Sequence, residues 1–189
     1  IAIDKGIRAP VALRVNPNVN AGGHPKISTG KDTDKFGIPY VEAEKIYKIA
    51  AKLQGINIIG IDMHIGSQIM ELEPFKNSFN KIFNLVKQLR SLGHNIDNLD
   101  LGGGLGIPYT KKENIDLLLS GYSKNIINIK NKLNINIILE PGRFLVGNAG
   151  ILVTKILYKK IIDKKNFLIV DAGMNDFLRP ALYNANHMV

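Results

Sequence analysis

The stretch Leu99-Asp100-Leu101-Gly102-Gly103-Gly104-Leu105-Gly106 decides how the rest of the sequence is interpreted. A short apolar run followed by three consecutive glycines predicts a buried strand whose end approaches another group too closely for side chains. Successive glycine N–H groups at such a strand end can converge on phosphate oxygens. A dinucleotide-binding turn needs a further glycine where Ile107 stands, so that fingerprint is incomplete. We therefore expect a phosphate-binding turn, with an ordinary tight turn as the alternative.

Composition bounds the class of protein. The chain has 189 residues, of which 45% are hydrophobic, which is enough to form a sizeable core. It contains no cysteine, so disulfides and thiolate chemistry are excluded within these residues. No apolar run approaches the ~18 residues of a membrane span, and we expect no membrane partner. The net charge of +9 comes from scattered lysines without a nucleic-acid-binding motif. We therefore expect small anionic ligands, no nucleic acid and no metal.

Apolar β-type runs alternate with helical periodicity along most of the chain. Strands are predicted at Val11–Val15, Ile56–Ile61, Asn98–Leu101 and Ile135–Leu139, and helices at Val41–Leu53, Glu73–Leu92 and Asp116–Leu133. This alternation predicts a parallel α/β architecture of the (β/α)8 kind. After Arg143 the pattern changes to two β-runs, Ile151–Tyr158 and Phe167–Val170. A Lys-rich turn, and no helix, separates them, which predicts a hairpin-type β segment that begins near Gly150. We place a domain boundary there, between residues 1–149 and 150–189.

Polar side chains follow four of the predicted strands. They are Arg14 and Asn16, His64 and Ser67, the glycines Gly102–Gly104, and Glu140 and Arg143. Each has a purely structural alternative: His64 as a hydrogen-bonded core residue, Ser67 as a helix N-cap, and Glu140 with Arg143 as a local ion pair. In a (β/α)8 barrel all strand C-termini open onto one face, so we expect the four groups to meet at one site.

These segments together resemble the barrel family of pyridoxal-phosphate decarboxylases, which includes alanine racemase-like folds. The resemblance is carried by Arg14-Val15-Asn16-Pro17, Ser28-Thr29-Gly30, Lys35-Phe36-Gly37-Ile38, His64-Ile65-Gly66-Ser67-Gln68, the glycine run, Glu140-Pro141-Gly142-Arg143, Asp171-Ala172-Gly173-Met174 and Arg179-Pro180-Ala181-Leu182-Tyr183. It implies a partial (β/α)8 TIM barrel over residues 1–149, the start of a β domain over 150–189, and pyridoxal 5'-phosphate as cofactor.

The resemblance also implies roles for individual residues. Glu140 would bind the pyridine nitrogen and His64 would stack on the ring, which makes these two the catalytic candidates. The cofactor would further contact Ser67, Gly103, Gly104, Pro141, Gly142 and Arg143. The substrate would contact Arg143, Arg179 and Tyr183.

For the whole enzyme, the resemblance implies decarboxylation of meso-2,6-diaminopimelate to L-lysine and CO2. The alternatives are an ornithine- or arginine-type decarboxylase of the same fold and a non-catalytic pyridoxal-phosphate-binding barrel. Arg179 favours the first reaction, because a guanidinium binds a distal carboxylate in two-point fashion and repels a distal ammonium. A non-catalytic barrel would not need that second site.

The resemblance implies a cytoplasmic homodimer with a shared active site. The chain starts at Ile1, and we expect it to be an internal segment of a longer protein. The family's cofactor-binding lysine and the cysteine supplied across the dimer interface are expected outside these residues. We therefore expect the 189 residues alone to be inactive.

Overall fold

A five-stranded sheet organises the protein. It is seen in a computed structural model that describes residues 1–22, 35–109 and 114–187. The strands are β1 (Ala9–Asn16), β2 (Ile38–Pro39), β3 (Ile56–Asp62), β4 (Asn98–Gly103), β5 (Asn136–Glu140), β6 (Ile156–Ile162) and β7 (Lys165–Val170). The α-helices are α1 (Ala43–Ala50), α2 (Leu72–Ser91), α3 (Ile115–Leu133), α4 (Gly142–Val146) and α5 (Arg179–Tyr183). Two 3₁₀ helices lie at Ile3–Lys5 and Tyr40–Glu42.

The strand order of the large sheet is β2-β1-β3-β4-β5, and all neighbouring strands run parallel. Helix α2 connects β3 to β4 and helix α3 connects β4 to β5, so the predicted parallel α/β architecture is confirmed. Within the described residues the sheet ends at β2 and β5 and does not close into a barrel. On the edge strand β5, the side chains of Ile138 and Leu139 are 46% and 39% exposed to solvent. Such apolar edge residues fit a sheet that continues in a longer protein.

Aromatic packing between α2 and α3 builds the centre of the core. The rings of Phe75, Phe79 and Tyr122 lie with their centroids 4.8 to 5.9 Å apart. The apolar stripe predicted for α2 is therefore core packing, as expected. Arg90 then ties the two helices together, because its guanidinium donates to the carbonyls of Ile96 and Leu133. None of the described helices is both long and apolar enough to cross a membrane.

The first predicted helix, Val41–Leu53, was too long at both ends. Its first turn is a 3₁₀ helix and its regular part is α1. Val41 and Leu53 suggested helical spacing, but they are 88% and 52% exposed and contribute little to burial. The buried face instead consists of Ala43, Tyr47 and Ala50, which are spaced by four and three residues.

The hairpin after residue 150 is antiparallel, as the sequence predicted, and it forms a two-stranded sheet of its own. Its first strand starts at Ile156 rather than Ile151. Lys159 and Lys160, which were assigned to the turn, pair instead with Leu168 and Phe167. All residues of β6 are exposed, apolar and lysine alike, so no buried face marks in the sequence where this strand starts and ends.

The glycine run joins the ends of β3, β4 and β5. A Cβ on Gly102 would overlap the carbonyl oxygen of Met63, and a Cβ on Gly103 would overlap that of Glu140. Gly102 also has a φ of +66°, which side chains rarely adopt. Three strand ends can therefore come together only because these positions carry no side chain.

Replacing Gly102 with alanine tests this constraint. Both the left-handed backbone and the overlap with the Met63 carbonyl oppose a Cβ, so we expect the free energy of unfolding to fall by roughly 2–4 kcal/mol. The measurement is chemical denaturation of the intact protein. Gly150→Ala is the control, because nothing lies within 4 Å of a Cβ built there. Equal stability of the two variants would contradict the proposed close packing.

Candidate active site

His64 lies just beyond the end of β3 and faces the two neighbouring strand ends. Its Nδ1 accepts a hydrogen bond from the Gly103 N–H at 3.1 Å and lies 4.0 Å from Glu140 Oε2. Burial, reinforced by the charge of Arg14, lowers the pKa of His64 below its usual value. The ring is therefore neutral at pH 7, with its proton on Nε2, and its contact with Glu140 is not an ion pair.

Three carboxyl groups gather at the ends of β3, β4 and β5. One oxygen each of Asp62, Asp100 and Glu140 lies within 4.8 Å of the other two. Asp100 is stabilised by the Gly102 N–H, which donates to its Oδ1 at 2.9 Å. Asp62 Oδ1 is buried without a hydrogen-bond partner among the described residues. Burial, with the charge of Asp100 adding to it, raises the pKa of Asp62 to about 6.

Arg14 supplies the positive charge beside this acidic cluster of Asp62, Asp100 and Glu140. It extends from β1, its Nη2 donates to the His64 carbonyl at 3.5 Å, and its guanidinium lies 5.4 Å from the centre of the Phe36 ring. Its charge lowers the pKa of Asp62, against the larger effects of burial and Asp100. The cluster therefore keeps a net negative character, which suits a cationic or N–H group of a ligand.

The glycine run contributes fewer free anion-binding groups than its sequence suggested. The N–H of Gly102 donates to Asp100 and that of Gly103 donates to His64. Gly103 therefore shapes the site by lacking a side chain, and its amide serves His64 rather than a ligand. Gly104 is the remaining candidate donor, and a Cβ there would overlap the carbonyl of Gly66, directly before Ser67.

The loop that carries Ser67 packs against the segment after the glycines. Ile69 N–H donates to the Gly104 carbonyl at 2.9 Å, so Ser67 and Gly104 lie on adjoining turns. The alternative role of Ser67 as a helix N-cap is wrong, because α2 starts at Leu72 and its N-cap is Glu71. Ser67 therefore stays a candidate phosphate ligand.

Arg143 lies on the short helix α4, which follows Glu140 and Pro141 directly and starts at Gly142. Its Nη1 donates to Gln68 Oε1 at 3.2 Å. The ion pairs among the described residues do not include one between Glu140 and Arg143, so that local alternative is not supported. The guanidinium thus keeps its charge for another anion.

Arg179 and Tyr183 are the first and last residues of α5, so they lie one helical turn apart. Arg179 Nη1 donates to the hydroxyl of Tyr109 at 2.6 Å, and its guanidinium lies 5.3 Å from the centre of the Tyr109 ring. Tyr109 follows the glycine run by a few residues, so the contact brings α5 to the same end of β4 as the other groups. The segment Ser28-Thr29-Gly30 lies outside the described residues.

Sequence reasoning missed four residues of this site. Asp62 and Asp100 could have been found, because each stands at a strand end beside a predicted site residue. Gln68 ended a segment that carried the resemblance but was given no role, and Tyr109 gave no local signal. Their partners Arg143 and Arg179 are 75 and 70 residues away in sequence.

The parallel sheet, the glycine turn and the polar strand ends are those of part of a (β/α)8-type protein with a candidate ligand site at the carboxyl ends of its strands. The family is identified by comparison with known proteins. The model of the pyridoxal-dependent decarboxylase, pyridoxal binding domain, matches residues 3–147, and the chain belongs to this family.

Individual relatives extend the likeness over nearly the whole chain. It is 47% identical over 186 residues to a diaminopimelate decarboxylase of Haemophilus influenzae, covering 98% of this chain and 44% of that protein. A crystal structure of diaminopimelate decarboxylase from Helicobacter pylori complexed with L-lysine has a TM-score of 0.91 and 42% identity, over 99% of this chain and 46% of that one. A lysine decarboxylase from Selenomonas ruminantium has a TM-score of 0.77 and 25% identity, over 96% of this chain and 46% of that one. The chain therefore spans less than half the length of these relatives.

The raised pKa of Asp62 predicts a pH-dependent cost in stability. The folded protein holds this proton more tightly than the unfolded chain, so stability falls as pH rises from about 4 to 6. We expect Asp62→Asn to raise the free energy of unfolding at pH 7 by about 1 kcal/mol, a figure reduced because the group is only half-buried. The gain should vanish below about pH 4.

The measurement is chemical denaturation of the full-length protein, freed of cofactor, at several pH values. Asp163→Asn is the control, because Asp163 lies in the exposed turn between β6 and β7 and asparagine tolerates its positive φ. An Asp62→Asn variant that is less stable than the wild type at pH 7 would show that the carboxylate is stabilising.

Proposed function

We propose that the intact protein is a pyridoxal 5'-phosphate-dependent carboxy-lyase that converts meso-2,6-diaminopimelate to L-lysine and CO2. The main support for the proposal is that the sequence identity to diaminopimelate decarboxylases extends beyond the cofactor-binding domain. The family model ends at residue 147, whereas the identity to a diaminopimelate decarboxylase covers 98% of the chain and so includes α5 with Arg179. The structure with L-lysine belongs to a relative of the same name.

The residues present fit pyridoxal 5'-phosphate. The strand ends offer a carboxylate, a neutral imidazole and a glycine turn that a Cβ would fill, which match a ring nitrogen, a flat ring and a phosphate. When bound, the cofactor supplies a conjugated ring that accepts the electron pair left by the departing CO2.

Glu140 and His64 would serve the ring. The Glu140 carboxylate is 57% exposed at the end of β5, and it would hold a proton at the ring nitrogen through a charge-assisted hydrogen bond. Asp62 and Asp100 increase the negative charge around that proton. His64, which is neutral and fixed by the Gly103 N–H, would cover one ring face and exclude water from it.

The phosphate would lie at the turn formed by Ser67, Gly104 and Arg143. Pro141 and Gly142 would provide backbone contacts to the cofactor, since they lie between Glu140 and Arg143 where α4 starts. The family resemblance also gives Arg143 a contact with the substrate, so both phosphate and substrate are candidate ligands for its guanidinium.

Arg179 and Tyr183 would bind the carboxylate at the far end of the substrate. A diamine-forming decarboxylase must instead bind a distal ammonium, for which a guanidinium is unsuitable. This argues against an ornithine- or arginine-type substrate. It argues equally against a non-catalytic cofactor-binding barrel, which would have no use for a second carboxylate site.

We also propose that the whole enzyme is a cytoplasmic homodimer with a shared site, and that residues from about 150 belong to a second domain. The absence of cysteine from the sequence suits a reducing compartment. The separate sheet of β6 and β7, with both strands exposed, supports the domain division.

Glu140→Gln in the full-length enzyme tests the role at the ring nitrogen. A neutral amide no longer holds the proton, so we expect kcat to fall by about 10²–10³-fold while cofactor affinity changes little. The measurements are CO2 release and a spectroscopic titration with pyridoxal 5'-phosphate. Glu42→Gln, at an exposed position, is the control. Near-normal turnover of the Glu140 variant would refute the assignment.

Arg179→Ala tests the distal carboxylate site. L-lysine keeps one carboxylate of diaminopimelate, whereas 1,5-diaminopentane has none. We expect the inhibition constant of L-lysine and the KM for meso-diaminopimelate to rise about 10²-fold, because a charged pair is lost. Inhibition by 1,5-diaminopentane should be unchanged. An equal loss for both inhibitors would mean that Arg179 serves the fold and not the carboxylate.

A further inference from the structure

Gln68 makes three hydrogen bonds that no role described above uses. Its Nε2 donates to the Ile107 carbonyl at 2.6 Å, and its Oε1 accepts from the Ile107 N–H at 3.2 Å. The same Oε1 accepts from Arg143 Nη1 at 3.2 Å. These two bonds to the backbone of one residue determine which end of the amide is oxygen, because Ile107 offers one N–H donor and one carbonyl acceptor.

The amide gives Arg143 an anchor without neutralising it. The guanidinium and the Ile107 N–H are both donors, so an oxygen must stand between them. A carboxylate there would cancel much of the arginine charge and would also place an acceptor against the Ile107 carbonyl. Glutamine meets both demands, since it orients the guanidinium and leaves its charge for a ligand.

The loops that Gln68 joins are also held by other contacts. The Ile69 N–H donates to the Gly104 carbonyl at 2.9 Å, and the Gly106 N–H donates to the Ile69 carbonyl at 3.1 Å. These backbone bonds do not depend on the side chain at position 68. Loss of the Gln68 amide should therefore release Arg143 and Ile107 without separating the two loops.

We propose that Gln68 is a positioning residue that aims the Arg143 guanidinium at an anionic group of the ligand while preserving its full charge. The inference rests on the proposed function, which places Arg143 at the cofactor phosphate or the substrate carboxylate. Gln68 acts through Arg143 and does not itself contact either group. The two possible anions are distinguished by separate measurements.

The test is a double-mutant cycle in the full-length enzyme with Gln68→Met, Arg143→Met and both changes together. Methionine has nearly the shape of glutamine and none of its hydrogen bonds. For Gln68→Met we expect a roughly tenfold increase in the Kd of the cofactor-depleted protein for pyridoxal 5'-phosphate or in the KM for meso-diaminopimelate. A change in the first identifies the phosphate and a change in the second identifies the carboxylate. We expect the thermal midpoint and kcat to change little.

The decisive result is the combined variant. If Gln68 acts through Arg143, then Gln68→Met should have no further effect on affinity in the Arg143→Met background. Gln68→Glu should weaken affinity at least as much as Gln68→Met, although it retains an acceptor for Arg143, because it neutralises the guanidinium. Gln54→Met, at an exposed turn position, is the matched control and should match the wild type.

Additive losses in the cycle, or unchanged affinity for both ligands in Gln68→Met, would overturn the inference. A Gln68→Glu variant that binds as tightly as the wild type would do the same. The proposed function is judged separately, by turnover of meso-diaminopimelate in the wild-type enzyme. Absent turnover with a non-additive cycle for pyridoxal 5'-phosphate would reject the substrate and leave the role of Gln68 standing.

Discussion

The close approach of three strand ends at the glycine run is the constraint on which the site depends. Gly102, Gly103 and Gly104 lie so near the carbonyls of Met63, Glu140 and Gly66 that a Cβ at any of the three would overlap one of them. This contact brings β3, β4 and β5 together at their C-terminal ends. It also turns two of the glycine amides toward Asp100 and His64, which become fixed parts of the scaffold.

Packing the strand ends together has an electrostatic cost. Asp62, Asp100 and Glu140 are placed close to one another, and the half-buried Asp62 takes up a proton more readily than an ordinary aspartate. A neutral His64 cannot offset these charges, and Arg14 offsets them only in part. Clusters of this kind persist where a ligand supplies the missing positive charge, as a protonated ring nitrogen would.

Residues near one another in sequence were the predictable part of this site. The strand–helix alternation, the α2 stripe and the positions of His64 and Glu140 at strand ends follow from periodicity and from the geometry of parallel sheets. The ends of α1 and β6 did not, because exposed apolar residues imitate a buried pattern. The hydrogen bonds of Arg143 to Gln68 and of Arg179 to Tyr109 could not be predicted from the sequence, since only the folded chain brings such distant residues together.

Those two long-range bonds share a property that the acidic cluster explains. Both arginines donate to neutral oxygens, an amide for Arg143 and a phenol for Arg179, although three carboxylates stand at neighbouring strand ends. If Arg143 paired with Glu140, the two charges would cancel, and the site would lose both a carboxylate for a cationic group and a guanidinium for an anionic one. Neutral anchors keep the opposite charges apart, so that a ligand carrying a cationic ring and anionic ends can bind both. The polar partners of the arginines thus matter as much to the chemistry as the charged groups themselves.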